Sequence, residues 1–297
     1  MSSQNFKKPK YLATLYKQMR DQNPSETVVL VEGLADVASY SSSILNDSCK
    51  VQQTFGKPNL LEIVEILHTA GELSSILSLM DLDYDKFATP FVPNEQVIST
   101  DYPSYELYGV WDSIELYTNL ATQYLSIEKM AAKNLDTCQF LDLVKRNTKA
   151  IGALRAFCWS SKLSVCFDCL DHSKVKGIAN PCSDDIVELY FSKLLDYPDN
   201  SEFKGQSSEI VIGANALFDK CSERQLCGGH DIASIFCSTG IEAGVFLSGT
   251  KNEPTQKSIE KAIRAFVTFD TFKSSGMCSL LRNWEATEGR SVLSAST

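Results

Sequence analysis

No apolar stretch among the 297 residues approaches the roughly 20 that span a bilayer. A membrane-embedded chain is therefore not expected. Met1 to Lys10 is polar and basic, and the apolar core of a secretory signal does not follow it. The expected location is cytoplasmic, where thiols stay reduced. The 10 cysteines then read as small hydrophobes, with Cys158, Cys166 and Cys237 inside apolar runs. Positive charge is also scarce. Lys and Arg total 28 against 37 Asp and Glu, a formal net charge of -9. That excludes a generally basic coat for nucleic acid, so any such contact needs a local basic patch or a bound cation. There is no G-x-x-x-x-G-K-[ST] run, which excludes a P-loop ATPase in this chain. Repeats and low-complexity tracts are missing too. The 43% apolar and 22% charged composition supports a buried core and excludes wholesale disorder.

The N-terminal part alternates strand-like and helix-like segments. Val28 to Val31 is a short β-branched run, which suits a buried parallel strand. Leu34 to Leu45 has helical spacing, and Val51 to Phe55 is expected as a second strand. Asn59 is the expected N-cap of a helix from Leu60 to Ala70, closed by Gly71. Ser75 to Met80 reads as a third strand and Gln96 to Ser99 as a fourth. This order predicts an α/β domain with a parallel sheet flanked by helices. After about Asp112 the pattern turns helical. Long helices are expected over Ile114 to Phe140 and Leu141 to Leu170, and further ones over Ile186 to Leu195, Ile232 to Phe236 and Ser258 to Phe272. Asp196 to Ser208 reads as a linker or loop, and the tail beyond Trp284 is expected to fray.

Carboxylates gather where strands end. The first strand runs into Glu32-Gly33-Leu34-Ala35-Asp36 and the third into Asp81-Leu82-Asp83-Tyr84-Asp85. Open α/β sheets place their sites at the carboxyl ends of strands. Neighbouring strands would bring Glu32 beside Asp81 and Asp83. Clustered carboxylates repel one another, and a divalent cation relieves that repulsion. Oxygen ligands with room for water suit Mg²⁺ or Mn²⁺, and Mg²⁺ held this way also binds phosphate oxygens. That combination points to phosphoryl-transfer chemistry. Gly33 lets a phosphate or metal approach the backbone. An EF-hand fits poorly, because the Gly and the closing Glu that its loop requires are missing after Asp81, Asp83 and Asp85.

These residues resemble the signature of Toprim domains, a Glu after the first strand and a D-x-D after the third. Val31-Glu32-Gly33-x-x-Asp36 is similar to the OLD-like nuclease branch. Asp85 and the segment Trp111 to Tyr117 resemble, more narrowly, the Toprim effector subunits of PARIS-type anti-phage defence, which pair with an ABC-type ATPase. The resemblance is strong from residue 28 to about 117. Ser113 and Leu116 depart from the D-I-E-N-Y form of those subunits, whereas Ile114, Glu115 and Tyr117 keep it. The resemblance implies a Toprim-like α/β domain over 1–118. A helical region over 119–297 would then serve dimerisation or partner docking. It implies a Mg²⁺- or Mn²⁺-dependent nuclease, toxic in abortive infection, that cleaves RNA such as tRNA, or DNA. In that reading Glu32 is a metal ligand or general base, and Asp81 and Asp83 are the main ligands. Asp36 and Asp85 complete one or two metal shells. Two alternatives share the motif: a non-catalytic module that senses or docks a partner, and a primase-type nucleotidyl transferase.

Two further features stand apart from the carboxylates. Cys166-Phe167-Asp168-Cys169, with His172 nearby and Cys158 and Cys182 flanking, has the look of a zinc site, but its spacings match no common knuckle. Cys221, Cys227 and His230 are a looser set of the same kind. Lys145, Arg146 and Lys149 cluster on a helical segment. They are either a solvated face or contacts for a nucleic-acid backbone. His68 ends an apolar helical stripe and reads as a partly solvated residue.

Overall fold

The structure, a computed structural model, describes residues 7–88, 96–111, 114–175, 177–179, 185–247 and 254–294. The chain forms two compact units, neither of them one continuous segment. The sheet unit comprises Met1–Leu82, Val92–Asp101 and Val267–Thr297, and the helical unit comprises Asp83–Phe91 and Tyr102–Phe266.

In the sheet unit, helix α1 (Pro9–Gln22) leads into β1 (Thr27–Val31), α2 (Leu34–Ser43), β2 (Cys49–Gln53), α3 (Lys57–Thr69), β3 (Ile76–Met80) and β4 (Ile98–Ser99). Every residue of β1 and β3 is buried. Such unbroken apolar strands belong to a parallel sheet covered on both faces. The four strands are parallel in the order β2-β1-β3-β4, with Val28 opposite both Lys50 and Ile76. On one face Val28, Leu30 and Ile76 pack with Leu12 and Tyr16 of α1 and Ile63 and Leu67 of α3. Met80 joins Leu60 and Val64 of α3 on that side. β2 and β3 flank β1 on opposite sides, so right-handed crossovers put α2 on the face opposite α3. The direction of winding thus reverses between β1 and β3.

Two expectations about this unit are corrected. α3 begins at Lys57 with Gly56 as its N-cap, because Gly56 takes φ +113° and turns the chain sharply out of β2. Asn59 instead donates its side-chain amide to the Thr54 carbonyl at 3.0 Å. Over the described residues, through Ser294, the tail does not fray after Trp284. Helix Gly276–Glu288 runs past it, and Val292 is wholly buried. The Asn46 amide donates to the Val292 carbonyl at 2.9 Å, and the Ser294 amide to the Ile44 carbonyl at 2.8 Å. A local reading of a small polar tail has no way to register that pairing.

The helical unit is built around the helix Thr137–Ser160. Asp136 caps it: its carboxylate accepts from the Gln139 amide, and the Gln139 side chain accepts from the Asp136 amide. Helices Ile186–Leu194, Ser207–Lys220 and Gly229–Ala243 pack with it around one apolar core. Gly152 sits against the backbone of Leu226, where an added Cβ would lie 1.8 Å from the carbonyl oxygen. The expected long helices are shorter than the periodicity suggested. Ile114–Tyr124, Ile127–Ala131 and Thr137–Ser160 are separate, and residues 163–170 are irregular. The expected linker is also structured: Pro198–Gln206 forms 3-10 turns, with Asn200 and Phe203 buried. Among the described residues no helix is long and apolar enough to cross a membrane.

Candidate active site

Glu32 is the first residue beyond β1, and Asp81 is the first beyond β3. Because these strands pair directly, with Leu30 opposite Ser78, the two carboxylate residues leave the sheet side by side. The Asp81 amide donates to Glu32 Oε1 at 3.0 Å. The end of β2 is tied to the same place. The Thr54 amide donates to the Val31 carbonyl at 2.8 Å, and the Gly56 amide to the Glu32 carbonyl at 2.8 Å. This is the carboxyl end of the sheet at its switch point, where open α/β folds bind ligands.

Lys57 adds a cation to this edge. It is the first residue of α3, and its Nζ donates to the Asp81 carbonyl at 2.9 Å. The sequence reading overlooked it. Its signal was positional: like Glu32 and Asp81, it stands just past a strand end. Asp36, in the first turn of α2, accepts the Gly33 amide at 2.8 Å on Oδ2. That oxygen closes the helix N-terminus, so at least half of the carboxylate has a capping role.

Asp83 and Asp85 belong to the helical unit. Asp83 takes φ +50°, a conformation Asp tolerates better than most residues, and its amide donates to the Pro103 carbonyl at 3.0 Å. Asp85 opens the single turn Asp85–Phe87. Between them, the Tyr84 hydroxyl donates to the Leu226 carbonyl at 3.0 Å. Burial, and then the charge of Asp231, push Tyr84 well above the usual phenol range. Asp231 lies in the first turn of helix Gly229–Ala243 and pairs with Arg155 at 3.2 Å. Burial works most strongly against the Arg155 charge, but Asp231, Tyr84 and Asp168 together outweigh it and the pKa is raised. The Gly229-His230-Asp231 stretch thus serves an internal ion pair, while His230 stands against Glu260 at 2.6 Å.

Asp112, Ser113 and Cys182 lie outside the described residues, as do the side chains of Trp111 and of residues 114–117. Glu115 is placed only as a position on helix Ile114–Tyr124. Lys145, Arg146 and Lys149 are half-buried on helix Thr137–Ser160, and the Lys149 ammonium lies 4.6 Å over the Phe218 ring. Cys166 and Cys169 follow that helix in the irregular segment, and His68 is exposed.

Among the described residues, no three His, Cys, Asp or Glu side chains are grouped as a ready-made ion cage. Mg²⁺ needs less than that. It binds through one or two carboxylates and completes its shell with water and phosphate oxygens. The Glu32–Asp81 pair is an all-oxygen donor set joined through the Asp81 amide, and it fits that requirement. No protein-family model matches the sequence, and no curated protein is significantly similar to it.

Proposed function

We propose that this chain is a metal-dependent nuclease of Toprim type, hydrolysing phosphodiester bonds of RNA, such as tRNA, or of DNA. The observation that carries the reading is the Glu32–Asp81 pair at the switch point of a parallel sheet, with the Asp81 amide on Glu32 Oε1. Lys57 on the Asp81 carbonyl supports it. Glu32 and Asp81 would hold Mg²⁺ or Mn²⁺, which would supply an activated water and neutralise charge on the leaving oxygen. Glu32 serves as a metal ligand or as the general base for the attacking water. Lys57 offsets the repulsion between the two carboxylates and offers a donor to a phosphate oxygen. The resemblance adds Asp83 and Asp85 as further ligands. It also suggests a toxic effector of anti-phage defence that works with an ABC-type ATPase. The polar, basic stretch Met1 to Lys10 suits a cytoplasmic site of action, and the apolar helical region suits a homodimer or partner docking.

The test compares wild type with Glu32→Gln. Both are expressed with and without the ATPase partner, cells are challenged with phage, and DNA and small RNA are examined for breaks. The expected result is cleavage by wild type only, with a loss of at least about 100-fold in the variant and an unchanged melting curve. Undiminished cleavage by Glu32→Gln overturns the assignment. Absence of cleavage by both proteins overturns the nuclease reading.

A further inference from the structure

Cys166 and Cys169 are half-buried in the irregular segment, whereas Cys158, Cys227, Cys237 and Cys278 are buried. The chain turns between them, and the Leu170 amide donates to the Phe167 carbonyl at 3.0 Å. Cys169 Sγ folds back to within 2.9 Å of the Cys166 carbonyl oxygen. Asn200, wholly buried, holds both residues. Its Oδ1 accepts the Cys166 amide at 2.8 Å, and its Nδ2 reaches the Cys166 carbonyl at 3.0 Å and Cys169 Sγ at 3.6 Å. A further bond from Nδ2 to the Leu194 carbonyl, at 3.0 Å, anchors the amide to the preceding helix. The pair is thus pre-organised from outside its own segment and remains within reach of a small reagent. Among the described residues no third side chain completes a metal group with it.

We propose that Cys166 and Cys169 are a reversible redox pair, closed to an intramolecular disulfide by a low-molecular-weight disulfide such as oxidised glutathione. One cysteine thiolate attacks a glutathione sulfur, forming a mixed disulfide and expelling one glutathione thiolate. The second cysteine thiolate attacks the protein sulfur of that mixed disulfide. The Cys166–Cys169 bond forms, and the second glutathione thiolate leaves. The protein dithiol loses two electrons and two protons, and oxidised glutathione becomes two glutathione thiols. Burial and then the neighbouring Cys166 side chain raise the Cys169 pKa, so closure quickens as pH rises. Phe167, between the two cysteines, carries the Arg155 guanidinium 4.7 Å above its ring, which places the pair beside the Arg155–Asp231 ion pair.

The experiment is independent of the nuclease reading. The full chain is equilibrated with graded mixtures of reduced and oxidised glutathione, quenched in acid, alkylated, digested and weighed. The expected product is a peptide carrying Cys166 and Cys169 that is two hydrogens lighter, bears no alkyl group, and reverts with dithiothreitol. Exposed Cys138 serves as the internal control, because it stops at the glutathione adduct. In Cys166→Ser, Cys169 is expected to stop there as well. The proposal is overturned if both cysteines stay alkylatable, or both keep glutathione, under conditions that convert Cys138. A bond from either one to any other cysteine also overturns it.

Discussion

Replacing Asp231 with Ala removes the carboxylate that faces Arg155 at 3.2 Å. The Asp231 side chain is 5% exposed and that of Arg155 25%, so the stranded guanidinium cannot simply rotate into bulk water. Losing one partner of a fully buried pair costs about 3–5 kcal/mol. Arg155 keeps some solvent contact and its stacking on Phe167, which lowers the expected cost to roughly 2–3 kcal/mol. For a unit of this size that corresponds to a fall in Tm of roughly 4–12 °C. Arg155→Met strands the opposite charge and should cost slightly less, because Asp231 sits in the first turn of its helix, where the dipole favours an anion. Asp231→Ala combined with Arg155→Met leaves no unpaired charge and should recover part of the loss. The double-mutant cycle should therefore give a coupling of about 1.5–3 kcal/mol. Hydrogen exchange of the Thr137–Ser160 amides reports on this unit separately from the sheet unit. Additive single effects, with coupling under about 0.5 kcal/mol, would refute the reasoning, since the ion pair would then not be what holds the two helices.

Two other outcomes follow from buried groups. Burial lowers the pKa of the His172 imidazole, with Asp231 opposing, Arg155 and His230 reinforcing, and Asp171 opposing. The unfolded chain thus takes up a proton near pH 6.5 before the folded chain does. This contribution to stability is present above that pH and is lost as pH falls toward the lowered value. The slope is at most about 1.4 kcal/mol per pH unit. Melting at about pH 7.5 and about pH 5.5 should show a larger acid loss in wild type than in His172→Phe. Gly152→Ala drives a methyl group to 1.8 Å from a backbone oxygen that cannot swing aside. Denaturant titration should show a loss at or above the upper end of the usual overpacking range, about 3 kcal/mol.

Much of the sheet unit is legible locally. β1 and β3 are β-branched and apolar runs with no polar alternation, and that composition demands cover on both faces. Glu32 and Asp81 are legible for the same reason, since each is the first acidic residue after such a run. The start of α3 was not. Asn59 has the side chain of a good cap, but the conformation of Gly56 decides where the chain turns. The break after Tyr124 was hidden because apolar spacing continues through it. Leu125 leaves the helix to pair with Phe246, more than a hundred residues away. Pro198 to Gln206 has a linker composition, yet Asn200 is buried because its amide satisfies the backbones of Cys166 and Leu194.

By itself the sequence determined the α/β order, the apolar strands, and which carboxylates terminate them, because those follow from periodicity and residue type within a few positions. Tertiary structure decided that β3 lies beside β1, and hence that the Asp81 amide meets Glu32. It also decided that Lys57 reaches the Asp81 carbonyl, and that residues 267–297 return to the sheet unit. Strand order and chain return are set by long-range burial and by pairing of backbone groups from distant segments, and no local pattern encodes those partners.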